Sequence, residues 1–262
     1  MKRQVHRMLR RFGFDVFRVP RGSAVPPPFP AAGSPKRPIG DVELFFEDVR
    51  ARGLPVRSML DVGANRGKWA RMATHYFPDA KVFMIEPLEE MRPHLDEFCR
   101  LHSGSRWFHA GAGASAGELT LTIYDDLDGS SLLHPEEAGK LGSGRQRRVP
   151  IITIDSLIEK GDIELPQLVK LDVQGFELEA LRGATRLFGA AELIIMEVSL
   201  FPLLGVNPVF HDVIQFMEER NYLLYDVCGY CRRPLDGALA QVDAVFAKRD
   251  GFLRQSSEWE AR

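Results

Sequence analysis

Short apolar runs alternate with amphipathic stretches along most of the chain, and glycines mark the joints between them. The run Ser58-Met59-Leu60-Asp61-Val62 predicts a strand, residues 63–67 a tight loop, and the segment beyond it a helix to about Tyr76. Lys81-Val82-Phe83-Met84-Ile85-Glu86 predicts a second strand, followed by Pro87 and a helical stretch over residues 88–101. Ahead of both, Val42, Phe45, Phe46 and Val49 fall at three- and four-residue spacing, so residues 41–52 predict a helix that Gly53 and Pro55 stop. Further strands are expected over 106–110, 117–124, 149–154, 168–173, 192–198, 222–227 and 242–248, and further helices over 175–188 and 209–220. The nearly continuous apolar run Leu193-Ile194-Ile195-Met196 suits a strand covered on both faces. Strands alternating with helices imply an α/β fold with a mostly parallel sheet and right-handed crossovers.

Composition narrows this picture. With 262 residues and 45% hydrophobic side chains, the chain is large enough for one sizeable core. The division expected is a basic arm and Pro-rich linker over 1–40, a catalytic domain over 41–250 and a tail over 251–262. A net charge of −2 gives no nucleic-acid signal. No apolar run approaches the ~20 residues of a membrane span, and no apolar stretch follows the basic N-terminus as in a signal peptide. Three cysteines suit reduced thiols, and Cys228-Gly-Tyr-Cys231 lacks the further ligands of a zinc site. These features point to a cytoplasmic protein. Residues 1–21 interleave Lys2, Arg3, Arg7, Arg10 and Arg11 with Val5, Met8, Leu9, Phe12 and Phe14. Such a stretch reads either as a helix packed on the domain or as a basic amphipathic helix that rests on the inner face of a membrane.

The chemistry begins at the first loop. A strand, a glycine turn and a helix start make a unit that cradles nucleotides. The spacing Asp61-x-Gly63-x-Asn65-x-Gly67 lacks the Gly-x-Gly-x-x-Gly of dinucleotide sites. It is similar to the glycine-rich motif of class I methyltransferases, which hold S-adenosylmethionine (SAM). Asp61 suits the ammonium of the methionine end, and the N–H groups of the loop and helix suit its carboxylate. The same turn also serves as a plain strand-to-helix connection. Glu86 lies 25 residues beyond Asp61 at the end of the second strand, where an acid accepts both ribose hydroxyls. A helix N-terminal charge is the alternative, compatible role. Gly111 and Ala112 are small enough to let adenine approach the backbone.

At this point the chain resembles the FkbM family of SAM-dependent methyltransferases. The residues that carry the resemblance span roughly 58–248: Leu60 to Gly67, Ile85-Glu86-Pro87, Ser130-Ser131-Leu132, Ile152 to Leu157, Val169 to Glu177, Glu197-Val198-Ser199 and Asp236 to Phe246. The block Val169-Lys170-Leu171-Asp172-Val173-Gln174-Gly175-Phe176-Glu177 is the most family-specific. The resemblance implies a class I, Rossmann-like sheet of seven strands with an antiparallel last strand, and O-methylation of a sugar hydroxyl in a glycolipid, polysaccharide or natural product. Relatives often carry a Tyr-Glu-Gly-Gln-Pro-like stretch after the fifth strand. Here it is Leu204-Gly205-Val206-Asn207-Pro208, without the tyrosine and its acid, which puts the acceptor in doubt.

Methyl transfer requires an acceptor oxygen aligned behind the methyl carbon, and a hydroxyl needs help from a base or a metal. Asp172 and Glu197 stand at the ends of the fourth and fifth strands, where two close acids raise one pKa or bind Mg²⁺. Asp172 is the first candidate for base or cofactor-edge residue, with helix N-capping as its structural role. Glu197 divides between catalysis and accepting backbone N–H groups, and His211 is a third candidate base. The cofactor set is Asp61, Gly63, Ala64, Asn65, Gly67, Glu86, Pro87, Gly111, Ala112, Ser131 and Asp172, with Ser130 beside it. Glu177, Asp155 and Asp243 read as structural. The expected partner is a small-molecule or glycan acceptor. A nucleotide-dependent oxidoreductase of similar fold lacks support, because no Tyr-x-x-x-Lys pair is present. A membrane-peripheral binding protein that keeps SAM as a structural ligand is the non-enzymatic reading.

Overall fold

A computed structural model describes residues 31–34, 36–205 and 207–258. The chain divides into two units, Met1–Pro38 and Ile39–Arg262. The described part of the first unit, within 31–38, holds only turns and irregular backbone. The basic stretch over residues 1–21 lies outside the described residues. Among the described residues no helix is long and apolar enough to cross a membrane.

The second unit is built on a seven-stranded sheet. Its strands are β1 (Ser58–Val62), β2 (Lys81–Glu86), β3 (Arg106–His109), β7 (Leu168–Leu171), β8 (Leu193–Ser199), β9 (Tyr222–Arg232) and β10 (Leu239–Lys248), in the order β3-β2-β1-β7-β8-β10-β9. β10 runs antiparallel to both of its neighbours, while β3, β2, β1, β7 and β8 pair parallel. This is the seven-stranded sheet with an antiparallel last strand that the resemblance implies. A small second sheet, β4-β6-β5, is formed by β4 (Gly111–Ala112), β5 (Gly117–Thr122) and β6 (Gln146–Ile152). β5 and β6 pair antiparallel, so the expected hairpin-like insertion is present.

Alternation along each strand divides the core in two. Met59, Val82, Met84, Leu193 and Ile195 face α1 (Val42–Ala51), α2 (Lys68–Tyr76) and α3 (Arg92–Leu101). Leu60, Val62, Phe83, Ile85, Ile194 and Met196 face α5 (Ile154–Glu159), α6 (Glu177–Arg182) and α7 (Phe210–Glu218) on the other side. Between β5 and β6 the chain adds one short helix, α4 (Ala138–Gly142). α1 begins where the sequence places it, because the Asp41 carboxylate accepts the N–H groups of Glu43 and Leu44 at 3.0 Å each.

Several boundaries differ from the sequence expectation. The helix expected over 175–188 is two pieces, α6 and a 3-10 turn at Thr185–Leu187. Gly183 lies between them, and a Cβ there would overlap the Gly113 carbonyl oxygen. The break therefore lets two backbones pass in contact. Asp155 does cap a helical segment, but a different one from its own. Its carboxylate accepts the N–H groups of Thr185 and Arg186 at 2.9 and 2.8 Å, while Thr153 caps α5. β9 runs five residues beyond Val227, through the buried Cys228 to the exposed Arg232, where the apolar pattern fades. Cys228 is buried, Cys231 exposed, and both thiols are free. After β10 comes a 3-10 turn, Phe252–Arg254, with Leu253 buried.

The joint that positions the site is the contact between the loop after β1 and the end of β7. Asp172 N–H donates to Val62 O at 2.9 Å, and Gly63 N–H to Ile85 O at 2.9 Å. Gly63 has φ +79°, and a Cβ on it would overlap the carbonyl oxygen of Asp172. Its lack of a side chain thus serves the approach of two strand ends to each other. Gly63→Ala is expected to lower the unfolding free energy by more than ~2 kcal/mol, seen as a lower urea midpoint. Gly117→Ala, where an added Cβ meets nothing within 4 Å, should leave the midpoint almost unchanged.

Candidate active site

The carboxyl ends of β1, β2, β7 and β8 open onto one cavity of about 390 Å³. Parallel α/β sheets bind ligands at this end, because the loops there diverge and helix N-termini converge. Of the residues the sequence nominates, Asp61, Gly63, Ala64, Asn65, Glu86, Pro87, Gly111, Ala112, Asp172 and Glu197 line the cavity. Gly67 caps the start of α2 in the left-handed conformation just behind the loop. Ser131 does not line the cavity; its neighbour Ser130 does. Ser131 is buried, its hydroxyl donating to Gln174 O at 2.9 Å and accepting Leu133 N–H at 3.2 Å, so it ties two loops together. His211 is exposed at the start of α7 and is not part of the cavity lining. A polar residue at a helix start gave the sequence no way to tell a surface position from a site.

Glu86 sits at the end of β2 with 4% of its surface exposed. Its carboxylate accepts Asn65 N–H at 2.7 Å on one oxygen and Leu88 N–H at 2.8 Å on the other. Burial pushes its pKa up to about 7, against the pull of these two N–H groups. Each oxygen keeps a lone pair for another donor. Glu86 therefore ties the glycine loop to the segment after β2.

Asp61 is different. Only 1% exposed, it has no hydrogen-bond partner on either carboxylate oxygen. Burial raises its pKa to about 7, with Lys170 pulling it down and Asp172 pushing it up. A buried carboxylate without donors is costly, and folded proteins seldom leave one so.

The strand registers explain the rest of the electrostatics. Asp61 is opposite Lys170 across β1 and β7, Lys170 is opposite Ile195 across β7 and β8, and Glu197 is opposite Asp243 across β8 and β10. Alternation puts Asp61, Lys170, Glu197 and Asp243 on one face of the sheet, that of α1 to α3. Lys170, 9% exposed, donates to Asp172 Oδ2 at 2.7 Å. Burial works against its charge, yet Asp172, Asp61 and Asp243 together hold its pKa above the usual lysine value.

Gln174 completes the arrangement. Its side-chain amide donates to Asp172 Oδ1 and to Glu197 Oε2, both at 3.0 Å, from a backbone with φ +52°. Gln241 donates to the same Glu197 oxygen at 2.8 Å. Burial, followed by Asp172, Glu177 and Asp243, raises the Glu197 pKa to about 8, against Lys170. Glu177 accepts Val173 N–H at 3.0 Å and Gly175 N–H at 3.2 Å, so it fixes the turn that aims Gln174. The carboxylates of Asp172 and Glu197 thus share an amide donor. Sequence reasoning passed over Lys170, Gln174 and Gln241. Lys170 had a signal: it is the one charged residue in the apolar strand Leu168–Leu171. Gln174 and Gln241 had none, since a glutamine in a turn or a strand is unremarkable until its partners are known.

Mg²⁺ does not fit this donor set. Both Asp172 oxygens and one Glu197 oxygen already accept from N–H groups, and one partner is an ammonium. Mg²⁺ demands a near-octahedral shell of oxygens. Among the described residues no group of three or more His, Cys, Asp or Glu side chains could hold a metal ion.

Over the cavity lies the loop that follows β5. It is anchored by Thr122 and Ser131, which exchange backbone hydrogen bonds at 2.9 and 3.0 Å, and Leu127, Asp128, Ser130 and Leu132 line the cavity from it. Asp128 accepts from Asn65 Nδ2 at 3.0 Å and lies 3.8 Å from Arg66. In the stretch that departs from the Tyr-Glu-Gly-Gln-Pro-like pattern, Asn207 Oδ1 accepts Leu204 N–H at 2.8 Å.

The family model for the methyltransferase FkbM domain matches residues 61–224. The methyltransferase sdnD of Sordaria araneosa is 31% identical, over 48% of this chain and 59% of that protein. The hexuronic acid methyltransferase AglP of Haloferax volcanii is 28% identical, over 61% of this chain and 60% of that protein. The chain spans about six tenths of the length of these curated relatives. Among solved structures, Aeropyrum pernix fibrillarin in complex with SAM is 14% identical with a TM-score of 0.42, over 72% of this chain and 66% of that one. The precorrin-6y C5,15-methyltransferase of Geobacter metallireducens is 12% identical with a TM-score of 0.43, over 84% and 98%.

Burying Asp61 has a consequence for stability. Its folded pKa lies above the unfolded value, so its contribution is fully present below about 4 and is lost as pH rises toward about 7. Asp61→Asn removes that loss. The ligand-free variant is expected to melt higher than the wild type at pH 8, by at least roughly 2–4 °C. The gain should shrink as pH falls toward 4. Thermal unfolding across this range checks it, and a variant that melts lower at pH 8 contradicts it.

Proposed function

The chain belongs to the FkbM methyltransferase family, and on that premise we propose that it is a SAM-dependent O-methyltransferase acting on a sugar hydroxyl. The observation that carries the reading is the pair Asp172 and Glu197, joined by the Gln174 amide, at the end of the sheet where the cavity opens. The likeness to a hexuronic acid methyltransferase supports a sugar as the acceptor. The Leu204–Pro208 stretch, lacking the tyrosine and acid of many relatives, favours an acceptor different from theirs.

When bound, SAM supplies an electrophilic methyl group on a sulfonium. The residues present fit it. Asp61 offers an unpartnered buried carboxylate to the ammonium, and Glu86 offers two oxygens to the ribose hydroxyls. The α2 N-terminus, without a side-chain cap, offers N–H groups to the carboxylate. Gly111 and Ala112 leave room beside the backbone for the base. Gly63, Ala64, Asn65, Gly67 and Pro87 shape the loop that holds these groups.

Glu197 is the better base of the two acids. Both Asp172 oxygens already accept hydrogen bonds, from Lys170 and Gln174. Glu197 takes both amides on Oε2, and among the described residues nothing donates to Oε1. Its raised pKa also matches proton abstraction near neutral pH better than an ordinary carboxylate does. In this assignment Glu197 Oε1 takes the hydroxyl proton as the oxygen attacks. Asp172 and Lys170 hold the field beside it constant.

Two measurements test the reading. Calorimetric titration should show SAM binding and no NAD⁺ binding, with the SAM affinity sharply weaker in Glu86→Gln. Absence of SAM binding in the wild type overturns it. In turnover assays on sugar acceptors, kcat/KM should rise with pH through about 8, because the base works deprotonated. Glu197→Gln should lose that limb and ~10²–10⁴ of the rate. An unchanged profile in Glu197→Gln moves the role of base to Asp172.

A further inference from the structure

Two residues that line the cavity carry buried polar atoms without a partner, and the two are opposite in kind. Among the described residues, the buried side-chain polar atoms lacking a hydrogen bond are both Asp61 oxygens, Trp69 Nε1 and Arg254 Nε. Of these residues, Asp61 and Trp69 line the cavity, and Arg254 does not. Asp61 is an acceptor that wants a cation. Trp69 is a donor that wants an acceptor.

The packing of Trp69 accounts for its ring but not for its N–H. The residue is 9% exposed and meets Phe46 edge to face, with ring centroids 5.8 Å apart. Phenylalanine would make the same contact. Buried indole N–H groups usually find a partner, and Trp69 has none within the described protein. Its surroundings point to the charge that partner carries. Trp69 stands in the first turn of α2, whose cap Gly67 has no side chain to offer the helix N–H groups. Lys68 precedes it, exposed at the cavity and without an ion pair among the described residues. A helix N-terminus, an ammonium and an indole N–H all favour an anion. Across the glycine loop, Asp61 favours a cation.

A ligand that satisfies both ends carries an ammonium and a carboxylate on one small unit, which is an α-amino acid. We infer that Trp69 joins Asp61, already assigned to the ammonium, in recognising the amino-acid end of the cofactor. The indole N–H donates to its carboxylate, and the Asp61 carboxylate accepts from its ammonium. Lys68 adds charge at the rim. The inference rests on the SAM reading above and assigns to Trp69 a polar role that a hydrophobic ring at this position does not need.

Two neutral thioethers isolate this end of the ligand. S-adenosylhomocysteine has the amino acid, and 5′-methylthioadenosine lacks it. Calorimetry with both, on the wild type and on Trp69→Phe, tests the assignment without relying on turnover. The wild type is expected to bind S-adenosylhomocysteine more tightly. Trp69→Phe should weaken that ligand roughly 10-fold, the scale of one hydrogen bond to a charged group, and leave 5′-methylthioadenosine unchanged. Asp61→Asn should show the same selective loss. Equal affinity for S-adenosylhomocysteine in Trp69→Phe overturns the inference. So does an equal loss for both ligands, which would make Trp69 a packing residue. A wild type that binds neither thioether and no SAM overturns the cofactor reading, and this inference with it.

Discussion

One buried ammonium, that of Lys170, organises the charge of this protein. It sits in the middle strand of the sheet with Asp61 on one side, Asp172 at its own strand end and Asp243 two strands away. Without it, Asp61, Glu197 and Asp243 would share a face of low polarity with no counter-ion, which favours their neutral forms. With it, Asp172 keeps an ion pair, and the upward push of burial on Asp61 and Glu197 is partly offset. Burial makes ordinary carboxylic acids weaker here, and the one cation that the strand registers place beside Asp61 and Glu197 pulls them only part of the way back.

The geometry that holds this charge comes from a few strained or side-chain-free backbone positions. Gly63 lets the loop after β1 touch the Asp172 carbonyl. Asn65 and Gln174 both adopt positive φ, and both present their amides at the cavity: Asn65 toward Asp128, Gln174 toward Asp172 and Glu197. Side chains rarely take this conformation unless the surroundings enforce it. Here the enforcement is visible: Glu177 grips the N–H groups around Gln174, and Glu86 grips that of Asn65. The two loops that carry the site are each stapled by a buried glutamate.

Such a site opposes stability. Asp61 lacks donors and is almost wholly buried, and Glu86, Glu177 and Glu197 have pKa values raised by burial. Each costs the ligand-free protein stability at neutral pH. A cationic ligand offsets that cost, so affinity and folding draw on the same groups. The large two-sided core, with the strands β1, β7 and β8 nearly closed to solvent, supplies the surplus that tolerates it.

The amino-acid sequence by itself determined the order of strands and helices, the sheet class and the glycine loop after β1, because these follow from local periodicity, turn residues and short motifs. Asp61, Glu86, Asp172 and Glu197 were legible because acids at the ends of apolar strands stand out. The tertiary structure decided which polar residues share a partner. Ser131 and His211 look as chemical in the sequence as Ser130 and Glu197, but one ties loops together and the other faces solvent. Gln174, Gln241 and Trp69 look unremarkable, yet two hold a carboxylate and the third carries an unpaired buried donor. Strand register and burial made that difference, since both arise from pairings between residues dozens of positions apart. No local pattern along the chain records such pairings.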